Sequence, residues 1–210
     1  ALAESISAFY SKPHVIPNLV NETAFIPAQP SPGKFRFLTV CSLTDQKGVD
    51  DLLRAIARWD PSPDQVEFRI CGDGPMRAHY EIMARRLRIA DRVTWLGMHR
   101  RDMIPTLFQE SHVFVMPSRH ESFGVVFAEA IASGKPIIAT CCGGPEYIVN
   151  ECNGLLVRVG DLMALSAAMQ QLKHNWASYD PQAIRLDFMQ RFSRPAVIKQ
   201  LLAVYERILQ

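Results

Sequence analysis

Short apolar runs alternate with stretches of helical apolar spacing through most of this chain. Phe35-Arg36-Phe37-Leu38-Thr39-Val40 has the aromatic and β-branched make-up of a strand. Val49, Leu52, Leu53 and Ile56 then recur on one helix face until Asp60-Pro61 ends the helix after Trp59. The cycle repeats, with strands expected near Val66–Cys71, Arg92–Leu96, His112–Met116, Pro136–Thr140 and Gly154–Val157. Helices are expected near Pro75–Arg88, Met103–Gln109, Gly124–Ser133, Pro145–Val149 and Asp161–Lys173. This alternation predicts βαβ units: an α/β, Rossmann-like domain whose mostly parallel sheet carries helices on both faces. In such sheets ligands sit beyond the carboxyl ends of the strands, so the loops after the strands are where chemistry is sought.

Composition narrows the classes further. A length of 210 residues allows one large domain or two small ones. With 48% apolar and 21% charged residues, neither a disordered nor a fibrous chain is expected. A net charge of +2 is too mild for a nucleic-acid binder. No run reaches the ~18 apolar residues of a helical membrane span, and no charged-then-apolar leader is read. The five cysteines, Cys41, Cys71, Cys141, Cys142 and Cys152, are odd in number and form no CxxC, so neither a disulfide framework nor a zinc site is expected. A reducing, cytoplasmic compartment follows as the expectation. Ala28–Gly33 reads as a loop, and Ala183–Gln190 and Arg194–Ile208 as two consecutive helices. Val197, Leu201, Val204, Tyr205 and Ile208 give the last helix an apolar stripe, expected to pack on the domain's own flank.

Cys71-Gly72-Asp73-Gly74-Pro75 lies between a strand and a helix, the setting of a dinucleotide fingerprint. Arg77 occupies the place of the third glycine, and Asp91 precedes the next strand instead of closing it, so a nicotinamide enzyme is not expected. The segment reads either as a turn bringing backbone near a ligand or as a structural turn. No G-x-x-x-x-G-K-[ST] loop occurs. Ser118 and Ser122 lie outside any G-x-S-x-G elbow, and His120 beside them does not make a triad.

Met116 through Ala130 is the most specific stretch. A strand ends at Met116, a loop follows, and a helix starts near Gly124. The free amides of Phe123, Gly124 and Val125 at that start, with the positive end of the helix dipole, suit a phosphate. Glycine at 124 lets a ligand approach the backbone. Glu121 and Glu129 are eight positions apart, up to ~12 Å along a helix axis. Hydrolytic carboxylate pairs stand ~5–9.5 Å apart, so this spacing better suits two acids gripping distant parts of an elongated ligand. The competing reading is one acid stabilising the helix dipole and an ordinary exposed Glu.

Glu121 through Glu129 resembles the E-x7-E motif of retaining glycosyltransferases of GT-B fold, family 4. Ile16-Pro17-Asn18 is similar to that family's "IPNG", Lys47-Gly48 to its "KG", and Gly72-Asp73-Gly74-Pro75 to its "GDGP". Val93-Thr94-Trp95-Leu96-Gly97 resembles "V-x-F-L-G", and Gly134-Lys135-Pro136-Ile137-Ile138-Ala139 resembles "G-x-P-V-I-A". Gly143-Gly144-Pro145-Glu146 and Gly154-Leu155-Leu156-Val157 continue the series in family order across almost the whole chain.

The resemblance implies the donor-binding, C-terminal half of such an enzyme. Residues 1–24 would be a lead-in from an N-terminal domain, 25–180 the nucleotide-sugar domain, and 181–210 helices of which the last returns to that N-terminal domain. The donor would be a UDP- or GDP-sugar, used without a metal or other cofactor, and the acceptor a carbohydrate or lipid-linked molecule held by the N-terminal half. Peripheral membrane contact of a full-length protein is an open expectation. Lys47 would neutralise the diphosphate, Glu121 contact the donor sugar, and Glu129 hold the ribose. Ser122 and the amides of Phe123, Gly124 and Val125 would bind phosphate and sugar, Gly72 and Gly74 would approach the donor, and Met98 and Met103 would line the base. Two departures stand out. Cys41-Ser42 replaces a usual Gly-Arg, leaving Arg119 as a candidate second phosphate cation, and Ser122 replaces a usual glycine. A nucleotide-sugar epimerase on a related two-domain scaffold and a non-catalytic nucleotide-sugar-binding module are the alternatives.

Overall fold

The computed structural model describes residues 16–209, so residues 1–15 of the expected lead-in lie outside the described residues. Six strands form one sheet: β1 Phe35–Val40, β2 Val66–Cys71, β3 Val93–Gly97, β4 Val113–Met116, β5 Ile137–Thr140 and β6 Gly154–Val157. Their spatial order is β3-β2-β1-β4-β5-β6, and every neighbouring pair is parallel. The helices are α1 Val49–Trp59, α2 Arg77–Arg86, α3 Ile104–Gln109, α4 Val125–Ala132, α5 Pro145–Ile148, α6 Leu162–Asn175, α7 Pro181–Arg191 and α8 Arg194–Ile208. The expected elements are all present, with boundaries moved by a few residues. Asp161, for example, is not helical but caps α6 by accepting the Ala164 amide at 2.9 Å.

β4 and β5 are buried at every residue because the sheet is covered on both faces there, whereas β2 alternates Val66, Phe68 and Ile70 with the half-buried Glu67 and Arg69. Phe37, Val113, Val115 and Ile138 point into a core shared with α1, α2 and α6. Their neighbours Leu38, Phe114, Met116, Ile137 and Ala139 point into a second core with α3, α4 and α7. Burying side chains of this size contributes about 1.5–3 kcal/mol each, so the two cores dominate the stability of the fold.

The segment before β1 is fastened to the second core. Val20 and Phe25 are buried there. The Arg185 guanidinium of α7 donates to the carbonyls of Glu22, Phe25 and Ala132. Lys135, 3% exposed, donates to the Ala28 carbonyl at 2.7 Å.

The apolar stripe of α8 does not pack on the flank as expected. Val197 is buried, but Leu201 and Tyr205 are exposed, so among the described residues the stripe is fully covered only at Val197. Val204 is half-buried, and the side chain of Ile208 lies outside the described residues.

His112 sits at the amino end of β4, its ring centroid 4.4 Å from that of Phe35 and 5.0 Å from that of Trp176. Its Nδ1 accepts the Arg36 amide at 3.1 Å, a bond that only the neutral tautomer protonated at Nε2 allows. Burial, helped by the charges of Lys135 and Arg36, holds its pKa down at about 4, below the ordinary 6.5. A folded value below the unfolded one gives stability that is complete above the ordinary value and is lost as pH falls toward 4. Urea midpoints are therefore expected to drop by on the order of 2 kcal/mol in stability through that window. His112→Asn, which keeps an acceptor for the Arg36 amide but cannot charge, should flatten this acid limb; identical slopes would contradict the assignment.

Candidate functional site

β1 lies between β2 and β4, so the connections leaving β1 and β4 diverge to opposite ends of the sheet and open a crevice at their carboxyl ends. The loop after β1 makes a single 3-10 turn, Asp45–Lys47, that ends at Gly48 with φ +65°. A Cβ at Gly48 would stand 2.0 Å from the Pro117 carbonyl oxygen, so the two loops touch only because no side chain intervenes. The Arg119 amide donates to the Gln46 carbonyl at 2.7 Å across the same contact.

That contact places the Lys47 ammonium on Glu121 Oε1 at 2.6 Å. The Ser118 hydroxyl donates to the same oxygen at 3.0 Å. Backbone holds Glu121 from the other side: its amide donates to the Cys142 carbonyl at 3.3 Å, and its carbonyl accepts the Gly144 amide at 2.7 Å. Gly144 packs so tightly on Phe123 that a Cβ there would meet its backbone at 2.4 Å. Arg119 is not a free cation for a phosphate. Its guanidinium donates to Asp50 at 2.8 Å and Asp51 at 3.1 Å, and also contacts Asp45, so it braces the first crossover.

Gly124, at φ +82°, turns the chain into α4. Among the described residues, the amides of Phe123, Gly124 and Val125 donate to no protein acceptor. They are the open donors of a helix start, flanked by the Lys47–Glu121 pair.

One turn into α4 lies a cleft of about 340 Å³ lined by Cys41, Ser42, Gly72, Met98, His99, Arg101, Val125, Val126 and Glu129, among others. Glu129 is 1% exposed, and its Oε1 accepts from the Arg101 guanidinium. Burial pushes the Glu129 carboxyl up, and Arg101 draws it back. Burial also pushes the Cys41 thiol up to about 12, so it is a neutral wall of the cleft.

The structure brings Lys47, Glu121, Ser122, Phe123, Gly124, Val125, Glu129, Gly72 and Met98 to the carboxyl end of the sheet, but not all of them to the cleft. Met98 is 78% exposed at its rim. Met103 is not on its wall: the 3-10 turn Arg101–Met103 aims Arg101 inward and leaves Met103 exposed. Gly74 faces Leu43, whose backbone a Cβ would meet at 2.6 Å, rather than the cleft. Gly72 lines the cleft, and a Cβ there would stand 1.8 Å from the Cys41 carbonyl oxygen, so close loop packing requires this glycine. Sequence reasoning missed Ser118, His99 and Arg101. The position of His99 and Arg101 in a loop after a strand was the signal that could have found them.

Residues 34–175 match the family model described as Glycosyl transferases group 1. The chain belongs to this family. It is 31% identical over 167 residues to the N-acetyl-alpha-D-glucosaminyl L-malate synthase of Bacillus anthracis, a match covering 78% of this chain and 43% of that one. Its fold is similar to that of the lipopolysaccharide outer core galactosyltransferase WaaB, with TM-score 0.85 at 23% identity over 98% of this chain and 60% of the other. It is also similar to the C-terminal domain of a glycosyl transferase group 1 family protein from Francisella tularensis, with TM-score 0.73 at 21% identity over 83% of this chain and 99% of that domain. The group 1 domain thus has the fold of one half of a GT-B glycosyltransferase. The chain spans less than half the length of the curated relatives it matches. The match is to transferases and lends the epimerase reading no support. No helix among the described residues is long and apolar enough to cross a membrane.

Gly48→Ala puts a side chain where the Pro117 carbonyl lies and where φ is positive. The substitution should destabilise by about 2–4 kcal/mol and part Lys47 from Glu121. Chemical denaturation checks it; a loss under 0.5 kcal/mol, the size of an ordinary surface substitution, would show that the two loops are not in contact.

Proposed function

We propose that this domain binds the donor of a retaining hexosyl transfer, a UDP- or GDP-sugar. Polysaccharide, lipopolysaccharide or glycolipid synthesis is the setting we infer. The observation that carries this reading is the row of open amides at 123–125 between two carboxylates, each paired with a cation from a different crossover. An extended anion with hydroxyl groups at both ends suits that row: diphosphate on the amides and Lys47, sugar at Glu121, ribose at Glu129. Ser122 is exposed beside the amides, where the diphosphate and sugar would meet.

In the proposed reaction the acceptor hydroxyl oxygen attacks the anomeric carbon from the face the diphosphate leaves. The bond from carbon to phosphate oxygen breaks with its electron pair going to the diphosphate, and that oxygen takes the acceptor proton. Amide dipoles and the Lys47 ammonium stabilise the charge growing on the leaving group. Glu121, fixed by Ser118 and Lys47, orients the sugar and balances positive charge at its anomeric carbon. The Bacillus anthracis relative is named for an alpha-glucosaminyl product, and an α product from an α-linked nucleotide donor is retention. The acceptor, carbohydrate or lipid-linked, and any membrane contact belong in this reading to the part of the relatives that the chain does not span. The domain by itself binds nucleotide weakly and does not turn over.

Titration calorimetry with UDP, GDP and their sugars tests the reading: heat with at least one is expected at millimolar concentration, and none with any would overturn it. Lys47→Ala should weaken diphosphate binding about tenfold or more while leaving nucleoside binding nearly unchanged. Equal losses for nucleoside and nucleoside diphosphate would remove Lys47 from the phosphate site.

A further inference from the structure

Glu129 and Arg101 form a pair that neither residue's own surroundings explain. Glu129 is 1% exposed and Arg101 is 70% exposed, so this is no ordinary surface ion pair. A carboxylate buried without a partner would take up a proton instead of staying charged. Among the described residues its only hydrogen-bond partner is Arg101, which reaches it from the turn after β3, while Glu129 itself belongs to the unit after β4. The guanidinium also lies 5.7 Å from the centre of the Phe25 ring, a second contact that fixes its direction. Arg101 holds Oε1 of Glu129; Oε2 has no protein partner among the described residues, and Glu129 lines the cleft.

We propose that Arg101 is a positioning residue for nucleoside recognition: it pins one oxygen of Glu129 and keeps the other presented to the cleft as an ionised acceptor for ribose hydroxyls. The inference rests on the donor-binding reading above and assigns a task to a residue outside the E-x7-E segment. Two vicinal hydroxyls are both donors; an ionised Oε2 accepts from both, whereas protonation turns that oxygen into a donor and weakens it as an acceptor. Burial raises the Glu129 carboxyl and Arg101 lowers it, so loss of the guanidinium moves ionisation of Glu129 to higher pH. The other titratable groups lining the cleft are Cys41, Cys71 and His99. Both thiols are raised by burial and stay neutral through the physiological range. His99, in the same loop as Arg101, is separated from Glu129 in the experiment by the Glu129 variant.

The test is titration calorimetry of UDP and GDP against their 2′-deoxy and 3′-deoxy forms, from mildly acidic to mildly alkaline pH. It uses this chain and its Arg101→Gln, Arg101→Lys and Glu129→Gln variants, each checked for an unchanged urea midpoint. The unsubstituted chain is expected to prefer the ribose forms. Arg101→Gln should lose that preference by about tenfold at neutral pH and regain part of it as pH rises, and Arg101→Lys should restore most of it. Glu129→Gln should lose it with no pH step at all. An unchanged preference and pH profile in Arg101→Gln would overturn the inference. Binding of nucleotides with no ribose preference in the unsubstituted chain would overturn it while leaving the donor-binding reading standing, and no nucleotide binding at all would overturn both. Carbon-detected NMR titration of the Glu129 carboxyl needs no ligand and should show a higher midpoint in Arg101→Gln. An equal midpoint would show that Arg101 does not hold Glu129 ionised, which overturns the proposal independently of any nucleotide.

Discussion

The close approach of the loops after β1 and β4, with Gly48 against Pro117, is the constraint on which the site depends. These strands are neighbours in the sheet but lie far apart in the chain, so the contact is made only by the completed fold. It sets the Lys47 ammonium on Glu121 and lets Arg119 tie the first crossover to the loop through Asp50 and Asp51. The Glu121 segment is then bonded on its far side to the loop after β5. Three connections of the sheet therefore fix one carboxylate before any ligand is considered.

Charge is arranged so that neither acid of the E-x7-E segment is left alone. Glu121 has a cation from the first crossover and Glu129 has one from the third. Glu129 is almost wholly removed from water, where burial pushes its carboxyl up and Arg101 draws it back. Between them the helix start offers amides that no protein group satisfies among the described residues. Two hydrogen-bond acceptors at the ends and a row of donors in the middle give the site its polarity, which is what the proposed donor reading draws on.

The alternation of strand and helix was legible because period-2 and period-3.6 patterns differ within a few residues, and the doubly buried strands show as unbroken apolar runs such as Val113–Met116. The E-x7-E segment was legible as well, since its loop, its glycine and its helix are local features. Contacts between crossovers were not legible. Arg119 looked like a spare cation, yet three aspartates of the first crossover surround it. Gly74 looked like a ligand glycine, yet the backbone of Leu43 occupies the space a side chain would need. Met103 and Arg101 are two residues apart, and only the direction of a 3-10 turn decides which one meets Glu129. The exposed stripe of α8 follows a good amphipathic pattern, but periodicity says that a face is apolar and not what lies against it.

The claim beneath all of this is that the amides of Phe123, Gly124 and Val125 receive a diphosphate. Backbone amide NMR during titration with UDP or GDP reads those three groups directly. The account predicts that their resonances move together and furthest, with saturation, in company with those of Lys47 and Gly48. Saturable shifts confined to another surface, with residues 123–125 unmoved, would contradict it.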